Sequence, residues 1–129
     1  YWSFINTETG LPEKLTAADT DPYDLGEKME MDYAPRKIAL PKERKPQESF
    51  AVQKHHLDTN HHVNNCQYIR MAADFLPEDF AVHQLRVEYK RQAVLGNVMI
   101  PEVYMEANKA TVVLNAEDQE PYAVVEFTK

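Results

Sequence analysis

Five of the eight prolines fall between Pro12 and Pro46, and only Pro77, Pro101 and Pro121 come later. Proline has no amide hydrogen to donate and turns the residue before it away from helical geometry, so a stretch holding five of them should not be a regular core element. The same stretch segregates its charge. Glu13, Asp19, Asp21, Asp24, Glu27, Glu30 and Asp32 come first, and Arg36, Lys37, Lys42, Arg44 and Lys45 follow. Residues 10–45 therefore read as a long connection across a surface, with at most a short helical turn. A connection of that length is uncommon inside one compact domain and fits better between two units. Ahead of it, Tyr1–Asn6 reads as a strand from the first residue, with no initiator Met. The expectation is a chain cut from something longer.

After Pro46 the pattern becomes regular. Ser49–Thr59 looks extended, and Asn64–Leu76 looks helical, with Cys66, Ile69, Ala73 and Leu76 at three- and four-residue spacing and Tyr68 and Ala72 widening that face. Asn64 or Asn65 can cap the helix and Pro77 ends it. Strands are predicted over Phe80–Gln92, Val98–Ala107, Thr111–Ala116 and Tyr122–Thr128, with turns near Asn108-Lys109 and Glu117-Asp118 and an edge or bulge at Pro101. One helix on one mostly antiparallel sheet is an α+β architecture. At 129 residues there is room for one core. A net charge of −7 argues against a general binder of nucleic acid or anionic membrane. One Cys forms no internal disulfide, which makes a reducing, cytoplasmic setting the default expectation. No apolar run is long enough to predict a membrane-spanning helix.

Chemistry concentrates in His55-His56-Leu57-Asp58-Thr59-Asn60-His61-His62-Val63-Asn64-Asn65-Cys66-Gln67-Tyr68, between the extended run and the helix. If the backbone stays extended there, Asp58, Asn60 and His62 point the same way, because side chains alternate along a strand. A carboxylate, an amide and an imidazole so placed can orient a carbonyl and a water. The helix that follows presents unpaired amides, which can polarise an oxygen gathering negative charge. The same three residues also suit a turn followed by a helix cap.

Asp-x-Asn-x-His-Val-Asn-Asn-x-x-Tyr, from Asp58 to Tyr68, resembles the signature of hotdog-fold thioesterases, and most closely the acyl-acyl-carrier-protein thioesterases of plants and bacteria. The likeness runs on through Tyr68–Pro77 and Leu85–Arg91, and covers residues 50–100 best. It implies an antiparallel sheet wrapped around one central helix, and hydrolysis of fatty acyl thioesters to free acid, ending chain elongation. Members carry two hotdogs in tandem. On that likeness residues 1–9 are the last strand of a first hotdog, 10–45 the connection and 46–129 the second hotdog. The resemblance makes Asn60 and His62 catalytic and gives Asp58 the task of holding or activating them. His62 suits acid–base work, since a free imidazole titrates at about 6.5. Val63, Asn64, Asn65 and Tyr68 are expected to bind substrate. After Tyr89-Lys90-Arg91 the plant enzymes have Glu-Cys, where this chain has Gln92-Ala93. An amide takes no proton but can orient a water, so Gln92 joins the catalytic set in that role.

The implied partners are an acyl carrier protein, whose acidic surface the run Arg36, Lys37, Lys42, Arg44, Lys45 would receive, and either the preceding hotdog or a second copy in a homodimer. The same run is also what a solvated linker looks like. No cofactor is expected. His55, His56, His61 and His62 do not compose a metal site, because adjacent pairs point to opposite sides of an extended chain and no Cys pair accompanies them. Cys66 is expected to be a small buried residue on the apolar helix face and not a nucleophile. Two other readings stay open: an acyl-CoA thioesterase of the broader hotdog class, and a catalytically silent hotdog, for which Gln92 is the support.

Overall fold

The Val- and Phe-rich alternation of the last third of the chain builds the sheet that everything else is mounted on. The computed structural model describes residues 4–24 and 26–129, so the Tyr1–Ser3 part of the expected first strand lies outside the described residues. The chain divides into two compact units at Tyr33/Ala34.

In the first unit, β1 (Phe4–Ile5) pairs antiparallel with β2 (Pro12–Glu13). A four-residue helix, α1 (Ala17–Thr20), follows. The Thr16 amide and hydroxyl both donate to the Asp19 carboxylate, at 2.9 and 2.6 Å, which fixes the start of that short turn.

The second unit contains β3 (Lys45–Pro46), β4 (Phe50–Ala51), α2 (Asn65–Ala73), β5 (Gln84–Tyr89), β6 (Val98–Met105), β7 (Lys109–Asn115) and β8 (Pro121–Thr128). All pairings are antiparallel, in the order β3-β6-β7-β8-β5, and β4 lies against β6 beside β3. This is the α+β arrangement of one sheet and one main helix that the resemblance implies. Pro101 sits inside β6 and explains why β3 and β4 are separate. Its carbonyl accepts the Gln47 amide at 2.9 Å, so its missing amide hydrogen would face the same side. The strand facing β6 is thus interrupted, into β3 and β4, just where no donor is available to meet it.

Strand alternation sends Met99 and Val103 of β6, Ala110, Val112 and Leu114 of β7, and Ala123, Val125 and Phe127 of β8 to one face. There they pack against Tyr68, Met71 and Ala72, the buried stripe of α2. On the opposite face Val113 and Val124 are covered by Ile38, which is buried. Residues 34–44, part of the stretch read as an inter-domain connection, thus pack on the sheet. The Ile38 amide donates to the Glu88 carboxylate at 2.9 Å, Arg44 Nε pairs with Glu102 at 2.7 Å, and the Arg86 guanidinium bonds the Pro35 carbonyl. The hydrogen bond from Ile38 holds the Glu88 carboxyl below its ordinary pKa, with lesser help from Lys90 and Lys37. Among the described residues β5 is paired only with β8, and its Leu85 and Tyr89 remain 44% and 43% exposed. Among the described residues no helix is long and apolar enough to cross a membrane.

Candidate active site

The segment from Leu57 to Val63 is closed where an extended chain was expected. Leu57 and Val63 face each other across an antiparallel bridge, the Asp58 amide donates to the His62 carbonyl at 2.8 Å, and the His61 amide donates to the Asp58 carbonyl at 3.1 Å. The turn is held by Asp58 itself, whose Oδ1 accepts the Asn60 amide at 2.8 Å and the His62 amide at 3.2 Å. A short carboxylate competing for nearby amides is what favours Asp in turns. His61 adopts φ 62°, the left-handed geometry that lets the chain reverse in so few residues.

Asn64 then caps α2, its Oδ1 accepting the Cys66 amide at 2.9 Å while its carbonyl accepts the Gln67 amide at 2.8 Å. The turn and the cap place the helix start beside the chain segment that follows β5. Val63 N–H donates to the Ala93 carbonyl at 2.8 Å, His62 bridges to Val94, and the Ala93 amide donates to Tyr68 Oη at 2.9 Å. Tyr89 Oη–H donates to the Asn65 carbonyl at 3.1 Å, and its ring meets that of Tyr68 edge-on at 5.9 Å. Burial pushes both phenols above their usual pKa, so both stay protonated.

These contacts enclose an open cavity of about 430 Å³ lined by Asp58, His62, Val63, Asn64, Asn65, Tyr68, Tyr89, Lys90, Arg91 and Gln92. The structure thus brings Asp58, His62 and Gln92 together from two separate parts of the chain, with Asn64 and Asn65 at the helix start between them. Asn60 is exposed and does not line the cavity; its amide serves the turn instead. Val63 and Tyr68 contribute to the wall from buried positions. Cys66, expected to be buried, is exposed. The helix buries the stripe Tyr68, Met71 and Ala72 rather than the row containing Cys66. Among the described residues no group of three or more His, Cys, Asp or Glu side chains could hold a metal ion.

Tyr89, Lys90 and Arg91 line the cavity but were not singled out as site residues. Their signal was present in the Tyr-Lys-Arg stretch directly before Gln92. In the basic run Arg44 is committed to Glu102, Lys37 lies near Glu88, and Lys42 and Lys45 are exposed. Replacing Tyr68 with Phe keeps the ring but leaves the buried Ala93 amide without its acceptor. That substitution should cost about 1–3 kcal/mol of stability, read as a lower denaturant midpoint at unchanged slope.

Residues 40–124 match the family described as the acyl-ACP thioesterase C-terminal domain. A comparison with curated protein sequences finds no significant match. Among solved structures, an acyl-ACP thioesterase from Bacteroides thetaiotaomicron is similar with a TM-score of 0.79 and 18% identity, over 96% of this chain and 52% of that one. The 12:0-ACP thioesterase from Umbellularia californica gives 0.72 and 16%, over 96% and 52%. A hypothetical protein from Staphylococcus aureus in complex with CoA gives 0.57 and 17%, over 68% and 75%. At these identities the likeness shows the fold, a hotdog. The chain spans about half the length of the first two structures it matches.

Proposed function

The chain belongs to the acyl-ACP thioesterase C-terminal-domain family, and from that premise we propose that it hydrolyses fatty acyl thioesters, with acyl-acyl-carrier-protein as substrate and free fatty acid as product, ending chain elongation. The observation that carries this reading is the convergence of Asp58, His62 and Gln92 on one cavity at the start of α2. Asp58 Oδ1 is held by two backbone amides, and Oδ2 has no hydrogen bond among the described residues. In the proposed reaction Asp58 takes the proton of an attacking water that the Gln92 amide orients and passes it on to His62. The Asn65 amide is the first of α2; it and the Asn64 side-chain amide polarise the thioester carbonyl. Asn60 acts by closing the turn that aims Asp58. The thiol leaves protonated by the imidazolium.

A second hotdog, either the N-terminal one of a tandem or another copy of this chain, would lie along β5. Relatives about twice as long support the first choice. Among the described residues the other edge of β5 has no partner strand, which suits such a neighbour. Carrier recognition is assigned to the run Arg36, Lys37, Lys42, Arg44 and Lys45. Within it Arg44 is paired with Glu102, while Lys42 and Lys45 are exposed. A cytoplasmic setting accords with that partner.

The acyl-CoA reading is favoured by structures sharing this fold that carry CoA or acetyl-CoA. Hydrolysis of the same acyl group on carrier protein and on CoA, measured side by side, separates the two. A higher kcat/KM is expected on the carrier, and Lys42→Glu with Lys45→Glu should cut it about tenfold there while sparing acyl-CoA. Equal effects on both substrates would remove the docking role.

A further inference from the structure

The segment that carries Gln92 is gripped from outside the cavity as well as from within. The amides of Lys90 and Arg91 both donate to the Tyr122 carbonyl, at 2.9 and 3.2 Å. Ala93, the next residue but one, is tied to Tyr68 and Val63. Between these anchors the Arg91 guanidinium makes a two-pronged contact with Asp118, Nη1 to Oδ2 at 2.8 Å and Nη2 to Oδ1 at 3.1 Å. Its central carbon also lies over the Tyr122 ring, 4.8 Å from the centroid. Asp118 belongs to the turn between β7 and β8, where its Oδ1 accepts the Glu120 amide at 3.1 Å, and it does not line the cavity. Arg91 does line it, directly beside Gln92.

An exposed ion pair of this kind ordinarily contributes little to folding stability. Its geometry is nevertheless specific. A planar fork on a carboxylate, with an aromatic ring beneath, fixes the orientation of the guanidinium and of the backbone it hangs from. Gln92 has no side-chain hydrogen bond of its own among the described residues, so its aim depends on the backbone on either side. The inner anchors set the Ala93 end, and the Arg91 fork is the side-chain anchor at the other.

We propose that Asp118 is a positioning residue for the reaction: through Arg91 it fixes the backbone that aims the Gln92 amide at the attacking water. The inference rests on the thioesterase reading and adds to it a residue on the far side of the sheet turn. It separates positioning from stability, because the fork is exposed while the water-orienting group it serves is in the cavity.

The test uses the full chain with Asp118→Asn, which keeps an acceptor for the Glu120 amide but weakens the fork, and Asp118→Ala, which removes both. Thermal midpoints should stay close to that of the unaltered protein. On a short acyl-CoA, kcat should fall about tenfold at unchanged KM, the scale expected when a reacting group is displaced by a fraction of its hydrogen-bond length. In a Gln92→Ala background neither Asp118 substitution should lower kcat further. An unchanged kcat, or an equal loss with and without Gln92, overturns the proposal. If the unaltered protein hydrolyses no thioester, the functional reading itself fails. Hydrogen exchange at the Arg91 and Ala93 amides, bonded to the Tyr122 carbonyl and to Tyr68 Oη, then decides the clamp alone, faster exchange in Asp118→Asn supporting it and unchanged exchange refuting it.

Discussion

Asp58→Asn should lower kcat for thioester hydrolysis by about 10²–10⁴-fold, the range lost when a general base is removed. The substitution is nearly isosteric, and the Asn side-chain oxygen can still accept the Asn60 and His62 amides that now bond Asp58 Oδ1. The turn should therefore close as before and the chain should fold as before. What disappears is the negative charge of a carboxyl that lines the cavity. The effect belongs in kcat, with KM little changed, because the carboxylate acts on the water and not on the acyl chain. A silent Asp58→Asn would mean that Asp58 is only the residue that makes the turn, a role its hydrogen bonds already give it.

Gln92→Glu should act in the opposite direction. The amide can orient a water but takes no proton, whereas a carboxylate at the same place can do both. Gln92 is exposed while lining the cavity, so a new charge there is solvated and its repulsion from Asp58 is screened. A rise in kcat of about 10- to 100-fold is expected, with a new loss of activity on the acid side as the introduced carboxyl takes up its proton. A decrease would show that the water is not beside Gln92. In the Asp58→Asn background the added carboxylate should restore part of the lost rate, which ties the two substitutions to one water.

How far the sequence led depends on the range of the forces involved. The last three strands and the helix cap at Asn64 rest on local alternation and local hydrogen bonding, and appear close to where the pattern places them. The strand expected over Phe80–Gln92 is confined to Gln84–Tyr89. Ser49–Thr59, expected to be extended, keeps only Phe50–Ala51 as strand and turns through a 3₁₀ helix at Lys54–His56. Pro101 was read as an edge or a bulge, and it does break a strand, but the broken strand is its neighbour. Residues 58–62 were read as extended because alternation cannot show that the Asp58 carboxylate captures two amides and folds the chain back. That capture takes Asn60 out of the cavity and leaves Asp58 and His62 in it. Cys66 and Tyr68 lie on overlapping helical rows, and only the sheet decides which row is buried. Ile38, a lone apolar residue in a basic run, gave no periodic signal, since its burial depends on Val113, Val124 and Glu88 far along the chain. The Arg91–Asp118 fork is equally invisible from either end.

Rapid-quench measurement of thiol release from a long-chain acyl-carrier-protein thioester bears most directly on the central claim, that Asp58, His62 and Gln92 deliver water straight to the thioester carbonyl. The predicted result is release by the full chain that is linear from the first turnover, with no initial burst, and with no acyl group on the protein by intact mass. No release at all, or a burst equal to the enzyme concentration with an acyl group retained on the chain, would contradict it.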